Sequence, residues 1–346
     1  MKRTYLLLIF CVAFCGLKAQ SDIDTLRLSA YLSQVEDSSR CMGSIAVLKD
    51  GKCVFIRRLG KNLVEKDRNV NTPLYRVGSI TKMFTAVLIY QQVEKGTMSL
   101  DDKLADYFPE VPRAQDITLY QLLEHTAGLG NYILKDNILP MWTFSPVSHD
   151  DIMQEIVRQG ILYEPGKDFK YSNSGYYLLA RILEKKLGKP YTDIVGESVI
   201  EPLGLKHTHS GIVTAPDVLL PYCQNELGEW VEVPDFYFPN VSGVGDIVST
   251  PEDINLFLHG LFAGKLISQK HLQIMKPYGT DRWGRGMMCM PYREHIYCGH
   301  SGDTFGIHSI GVYNEQEDVA ITVNVNAATL PFNEFLLGIF KSLYGK

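Results

Sequence analysis

The chain has 346 residues, of which 45% are hydrophobic and 21% charged, with a formal net charge of −5. That composition suits one large globular unit or two intertwined lobes and excludes a low-complexity chain. A mildly acidic chain without a basic run is a poor match to nucleic acid or to anionic membrane surfaces.

Met1-Lys2-Arg3 is positive, Tyr5 to Leu17 is apolar without an acidic residue, and Ala19 offers a small residue at a cut. The stretch reads as an export signal over residues 1–20, cleaved near Ala19 or Gln20 and short for a membrane span. The mature chain is then expected in the periplasm or outside the cell. Cys11 and Cys15 raise a lipid anchor, but Phe10 and Phe14 precede them where such signals want a small residue. Cleavage removes Lys2, Arg3 and Lys18, leaving 31 basic against 39 acidic residues, a formal charge of −8. No other run is long and apolar enough to cross a bilayer.

Asp22 to Val35 carries apolar residues at helical spacing. Gly43 to Phe55 predicts two strands around the turn Asp50-Gly51. Tyr75-Arg-Val-Gly-Ser-Ile-Thr-Lys-Met-Phe84 follows. Ile80, Met83, Phe84, Val87, Leu88 and Val93 predict a helix opening after Gly78 and stopping at Gly96. Ser79 and Lys82, three residues apart, share a face of it. A serine hydroxyl becomes a nucleophile when a neighbour takes its proton, and a partly neutral lysine can. The helix start also aims N–H groups at Ser79, which suits an anionic acyl-transfer intermediate. Taken alone, the same four residues read more simply as an N-cap serine beside a solvated lysine.

Residues 97–250 read as mainly helical. One helix opens at Leu100-Asp-Asp-Lys-Leu; another opens at Thr118 and ends at His125-Thr-Ala-Gly-Leu129. Gly130 to Pro146 has no clean period and reads as a long binding loop. Asp150 to Gln159 is helical. Tyr171-Ser172-Asn173 leads into a helix over Gly175–Leu187 that Asn173 or Ser174 can cap. Two apart in an extended segment, Tyr171 and Asn173 can present a phenol and an amide to one cavity, or serve as a packed tyrosine and a cap. Val241 to Asp253 is a glycine-rich turn with a helix starting at Thr250-Pro251 and running to about Ala263.

The last third turns to strands. Gly286–Tyr292 and His295–Cys298 flank Arg293-Glu294, the stretch Gly299 to Gly306 interrupts, and strands Ile307–Tyr313 and Val319–Asn326 precede a helix from Pro331 to Leu343. A hairpin turning at Arg293-Glu294 would oppose Cys289 to Cys298, within disulfide reach; two packed thiols are the alternative. Cys41, Cys53 and Cys223 are the other cysteines of the mature chain. With no Cys-x-x-Cys or His-Glu-x-x-His, and no third ligand near His207 and His209, no metal and no cofactor is expected. Strands from both chain ends around a helical middle predict an α/β (α+β) fold with one sheet built from the termini and an inserted helical lobe.

Ser79-x-x-Lys82, Tyr171-x-Asn173 and His300-Ser301-Gly302 resemble, in order and spacing, the motifs of the serine β-lactamase and penicillin-binding-protein superfamily. The chain is most similar to the branch of class C β-lactamases, D,D-peptidases and esterases. The likeness extends over nearly the whole mature chain, from the Tyr75–Lys82 entry through the His125 and Gly243–Thr250 turns to the closing strands. It implies a β-lactamase/transpeptidase-like antiparallel sheet flanked by terminal helices. One lobe would comprise about 21–75 and 265–346, and an all-helical lobe about 76–264. It implies Ser79 as the acylated nucleophile, with Lys82 and Tyr171 sharing proton transfer. Asn173 would bind the acyl side chain, and the backbone N–H groups of Ser79 and Asp303 would form the oxyanion hole. His300, Ser301 and Gly302 would lie along the strand lining the cleft.

His300 departs from the lysine that efficient β-lactamases of this branch carry, and a mostly neutral histidine reads a carboxylate weakly. The resemblance therefore implies a secreted serine hydrolase of D-Ala-D-Ala-type peptides, esters or β-lactams, with peptidase or esterase activity ahead of efficient β-lactamase activity. An acylatable penicillin-binding sensor, or a non-catalytic binder of the same fold, is the alternative.

Overall fold

The computed structural model describes residues 23–345 apart from 65–68, 135–143, 214–216, 280–281 and 305. The expected export signal and the middle of the Gly130–Pro146 loop lie outside the described residues.

In chain order the elements are α1 (Thr25–Asp37), β1 (Cys41–Lys49), β2 (Lys52–Leu59), β3 (Tyr75–Arg76), α2 (Thr81–Glu94), α3 (Leu119–Glu124), α4 (His149–Gln159), α5 (Asn173–Leu187), α6 (Tyr191–Val195) and α7 (Glu201–Leu203). The chain continues through β4 (Tyr222–Gln224), β5 (Trp230–Glu232), β6 (Val248–Ser249), α8 (Pro251–Phe262), α9 (Gln269–Met275), β7 (Met288–Tyr292), β8 (His295–Thr304), β9 (Ile307–Asn314), β10 (Val319–Ala328) and α10 (Phe332–Tyr344). The helices expected at 118–125, 150–159, 251–263 and 331–343 form, and the first expected helix is described from Thr25.

Six strands make one antiparallel sheet in the order β2-β1-β10-β9-β8-β7, so the first and last thirds of the chain share it. The β1–β2 hairpin closes on Asp50 and Gly51, both at positive φ. Helices α1 and α10 cover one face with Leu28, Leu32, Phe335, Ile339 and Leu343. Gly338 permits their approach, since a Cβ there would lie 2.2 Å from the Tyr31 ring. Helix α8 packs on β1, β9 and β10 from within the part of the chain expected to form the helical lobe, because Ile254, Phe257, Leu258 and Leu261 need a buried surface.

Helix α2 is the central element of the larger core. Its residues Thr81 to Tyr90 and Gln92 are all buried, Phe84 stacking on Phe257 at 3.9 Å. Fully burying such apolar side chains stabilises by about 1.5–3 kcal/mol each. A helix surrounded on every side takes Lys82 out of water with it.

Three local expectations are corrected. Leu100 to Leu104 opens no α-helix but a turn before a short 3-10 segment, Leu104–Asp106. The Leu100 and Asp102 carbonyls accept from Tyr120 and Leu119, and the Asp102 and Asp106 side chains take the Ser99 and Lys103 N–H groups, so a helical ladder cannot start. Helix α5 is capped by Ser172, whose side chain accepts the Ser174 N–H, one residue ahead of the expected caps. The stretch from Gly299 to Thr304 does not interrupt the sheet: β8 runs through it. Gly299 is a close-approach glycine there, with a Cβ position 2.0 Å from the Gly311 carbonyl oxygen.

Candidate active site

Ser79 sits in a 3-10 turn, Gly78–Ile80, immediately before α2. Gly78 has φ +53° and lies against Gly302 and the Asp303 amide, an approach and a conformation that favour glycine. One turn on, Lys82 Nζ donates to Ser79 Oγ at 2.8 Å and to the Val244 carbonyl at 2.9 Å. Burial holds the Lys82 ammonium well below the ordinary lysine range. Val244 is fixed by the glycine-rich turn, where buried Asp246 accepts the Gly243 N–H at 2.7 Å and Thr85 Oγ1 donates to the Gly243 carbonyl at 2.6 Å.

Tyr171 OH donates to the same Ser79 Oγ at 2.8 Å, and burial raises this phenol above its usual range. Its ring rests on His125, 4.3 Å between centroids. His125 is the left-handed C-cap of α3, at φ 63°. Its Nδ1 accepts the Ser172 N–H at 3.3 Å, and its carbonyl accepts from Tyr163 OH and the Lys170 N–H at 3.0 and 3.1 Å. The sequence marks His125 as a helix end and as one of the turns of the family likeness; its support of Tyr171 depends on the ring stacking. Asn173 Nδ2 donates to Asn131 Oδ1 at 3.2 Å.

Strand β8 supplies the opposite wall. Its pairing with β7 ends at Gly299, so residues 300–304 extend beyond that partner and meet the Ser79 turn. Gly302 packs directly there: a Cβ would fall 1.9 Å from the Val77 oxygen and 2.9 Å from the Ser79 nitrogen. His300 is placed differently from a cleft-lining residue. It is 2% exposed, donates from Nδ1 to the Ser301 carbonyl, and packs near Trp283 and Tyr171 with centroids 5.5 and 6.5 Å away. Burial, with Lys82 nearby, lowers its imidazole to about 3, so it is uncharged across the neutral range. Trp283, which also meets Phe169, His125 and Tyr171, carries no motif signal. Cys289 and Cys298, opposed in the register read from the hairpin, form a disulfide at the foot of this wall.

A cavity of about 300 Å³ opens beside Ser79, lined by Gly78, Asn173 and Asp303 and by the apolar Ile133, Leu134, Phe236, Phe238, Val241 and Val244. Among the described residues no group of three His, Cys, Asp or Glu side chains is arranged to hold a metal, and no helix is long and apolar enough to cross a membrane.

The model of the beta-lactamase family matches residues 33–339. The chain belongs to the beta-lactamase family. It is 30% identical over 298 residues to a Bacillus subtilis protein named as the penicillin-binding protein PbpX, covering 80% of this chain and 70% of that one. It is 25% identical over 300 residues to the teichoic acid D-alanine hydrolase of Staphylococcus aureus, covering 83% and 71%. Among solved structures it resembles the D-amino acid amidase of Ochrobactrum anthropi SV3 complexed with L-phenylalanine amide: TM-score 0.81, 26% identity, 92% of this chain and 97% of that one. The chain is a serine hydrolase of the β-lactamase and penicillin-binding-protein fold.

Proposed function

We propose that this hydrolase is exported and works through an acyl-enzyme on Ser79, taking D-alanyl peptides, D-amino acid amides, esters or β-lactams as acyl donors. The observation that carries the reading is the Ser79 hydroxyl held at 2.8 Å by both Lys82 Nζ and Tyr171 OH at the mouth of an apolar cavity. Burial disfavours the lysine cation and the tyrosinate alike, which supports Lys82 as the base and Tyr171 as a neutral proton donor. Ser79 Oγ attacks the acyl carbon while its proton passes to the Lys82 amine. The Ser79 and Asp303 N–H groups receive the oxyanion. Tyr171 protonates the departing amine or alkoxide and is reprotonated from Lys82. Water then attacks the ester by the reverse relay, releasing acid and restoring the Ser79 hydroxyl.

His300, buried and uncharged, offers no cation to a substrate carboxylate, which supports amide or ester donors over efficient β-lactam turnover. The names of the relatives support a D-configured acyl or leaving group, and the signal-like residues 1–20 support export.

The test is covalent labelling by a fluorescent fluorophosphonate, with peptide mapping, followed by turnover of nitrocefin, a p-nitrophenyl ester, a D-amino acid amide and a D-Ala-D-Ala peptide. Label on Ser79, lost in Ser79→Ala, with multiple turnovers on at least one donor is the expected result. Stoichiometric labelling of Ser79→Ala would remove the nucleophile assignment, and a single burst without turnover on any donor would identify a sensor.

A further inference from the structure

We propose that Arg76 and Asp235 clamp the aromatic wall of the cavity beside Ser79 and so make the enzyme selective for acyl donors with a bulky apolar side chain. The proposal rests on the acyl-enzyme reading and adds its specificity determinant. Arg76 lies three residues before Ser79 on β3, paired to Val248 of β6, and its carbonyl accepts from Ser309 Oγ at 3.4 Å. Its backbone is thus tied to the frame that sets the nucleophile. Its side chain is only 8% exposed. Nε and Nη2 donate to one oxygen of Asp235, at 3.2 and 3.0 Å. The face of the guanidinium lies 4.0 Å from the centroid of Phe238.

Asp235 accepts the Phe236 N–H on its other oxygen at 3.1 Å, and the Phe236 ring meets Phe144 and Phe238 at 5.1 and 6.0 Å. Phe236 and Phe238 are the aromatic lining of the cavity. Residues 233–237 have no helix or strand, so side-chain contacts must hold this wall where a backbone ladder does not. Arg76 Nη1 has no hydrogen-bond partner among the described residues, so the cation's charge is met through Asp235. Among the described lining residues Asp303 carries the charge, and its carboxylate is engaged by His308 at 2.7 Å. The remaining lining is matched to an apolar group, and a planar, bidentate arginine fixes a wall more rigidly than a lysine would.

Two esters with one leaving group, p-nitrophenyl phenylacetate and p-nitrophenyl acetate, isolate the acyl side chain. With active sites counted by fluorophosphonate titration, the wild type prefers the phenylacetate. In Asp235→Asn the ratio of kcat/KM for phenylacetate over acetate falls about tenfold, chiefly through KM of the larger ester. Phe238→Ala lowers the same ratio directly. Arg76→Lys, which keeps the charge but loses the fork and the stacking, shifts it in the same direction and serves if Asp235→Asn yields no titratable sites. A ratio in Asp235→Asn or Arg76→Lys within about twofold of wild type, with Phe238→Ala altered, overturns the clamp. An unaltered ratio in Phe238→Ala overturns the cavity as the acyl pocket. A wild type that does not label on Ser79 removes the underlying reading, and the clamp with it, by a readout separate from the ratio.

Discussion

The His125 ring lies 4.3 Å from the Tyr171 ring while its Nδ1 accepts the amide N–H of Ser172, the residue after that tyrosine. A histidine at a helix end thus aims the phenol that meets Ser79. His125→Phe should keep the ring support and lose the hydrogen bond; His125→Leu should lose both. Leaving a buried N–H unpaired costs about 1–3 kcal/mol, so kcat is expected to fall about ten- to a hundredfold in His125→Leu, less in His125→Phe, with KM little changed. Steady-state kinetics on a p-nitrophenyl ester check this. A rise in KM at constant kcat would show that His125 shapes substrate binding instead.

Lys82 and Tyr171 should each cost heavily on removal. Positioned acid–base groups contribute about 10²–10⁴-fold, and both Lys82→Ala and Tyr171→Phe should slow fluorophosphonate labelling within that range. Because burial disfavours the Lys82 ammonium, the wild-type rate should decline as acid protonates the amine. Residual activity in Lys82→Ala should lack that acid limb. An acid limb that persists unchanged in Lys82→Ala would assign it to another group.

Gly302→Ala should disable the site without touching a titratable group. The added methyl would fall 1.9 Å from the Val77 oxygen, which forces β8 away from the Ser79 turn. Overpacking of this kind costs about 1–3 kcal/mol, so the protein should still fold, with a lower Tm. Acylation should fall more than a hundredfold, since losing one oxyanion donor costs about 10²–10³. Folded Gly302→Ala with normal labelling kinetics would refute that role.

The imidazole of His300 is held at about 3 in the fold, against about 6.5 in an unfolded chain. The unfolded state therefore binds the extra proton between those values. The stability that His300 contributes is present above pH 6.5 and is lost as pH falls from 6.5 toward 3. Buried Asp246, raised to about 6, acts in the opposite sense, taking up its proton in the folded state. The difference between wild type and His300→Asn isolates the histidine. Urea unfolding at several pH values should give the variant a shallower loss of stability below pH 6.5, by up to about 1.4 kcal/mol per pH unit. Parallel curves would mean that His300 is protonated in the fold.

Cys289 and Cys298 join β7 to the strand that carries His300 and Asp303. Peptide mapping of protein purified under oxidising conditions without reductant should recover them linked, while Cys41, Cys53 and Cys223 alkylate after denaturation. Replacing both by serine should lower stability by about 2–4 kcal/mol. Recovery of both as free thiols from oxidised protein would exclude the bond.

Much of this protein was determined by local sequence. The hairpin at Asp50-Gly51, the caps at Thr118 and Thr250, and the hairpin turn at Arg293-Glu294 follow from short-range chemistry that neighbours in the chain decide. So does the Ser79–Lys82 pairing, because helical spacing alone puts those side chains together. The opposition of Cys289 and Cys298 needed only the hairpin turn.

Tertiary structure decided the rest, because burial belongs to the surroundings and not to the residue. A lysine three places from a serine is a solvated cation on most helices; α2, enclosed on every side, buries it and disfavours the cation. His300 looked like a group facing the substrate, and the packing around Trp283 makes it a buried, uncharged one. Glycines 299 and 302 looked like a break in the sheet, since a glycine needed for another backbone's approach has the same sequence signature as one needed for a turn. Arg76 and Asp235 are 159 residues apart, and their pairing exists only once the strand before Ser79 and the segment before Phe238 have been brought side by side.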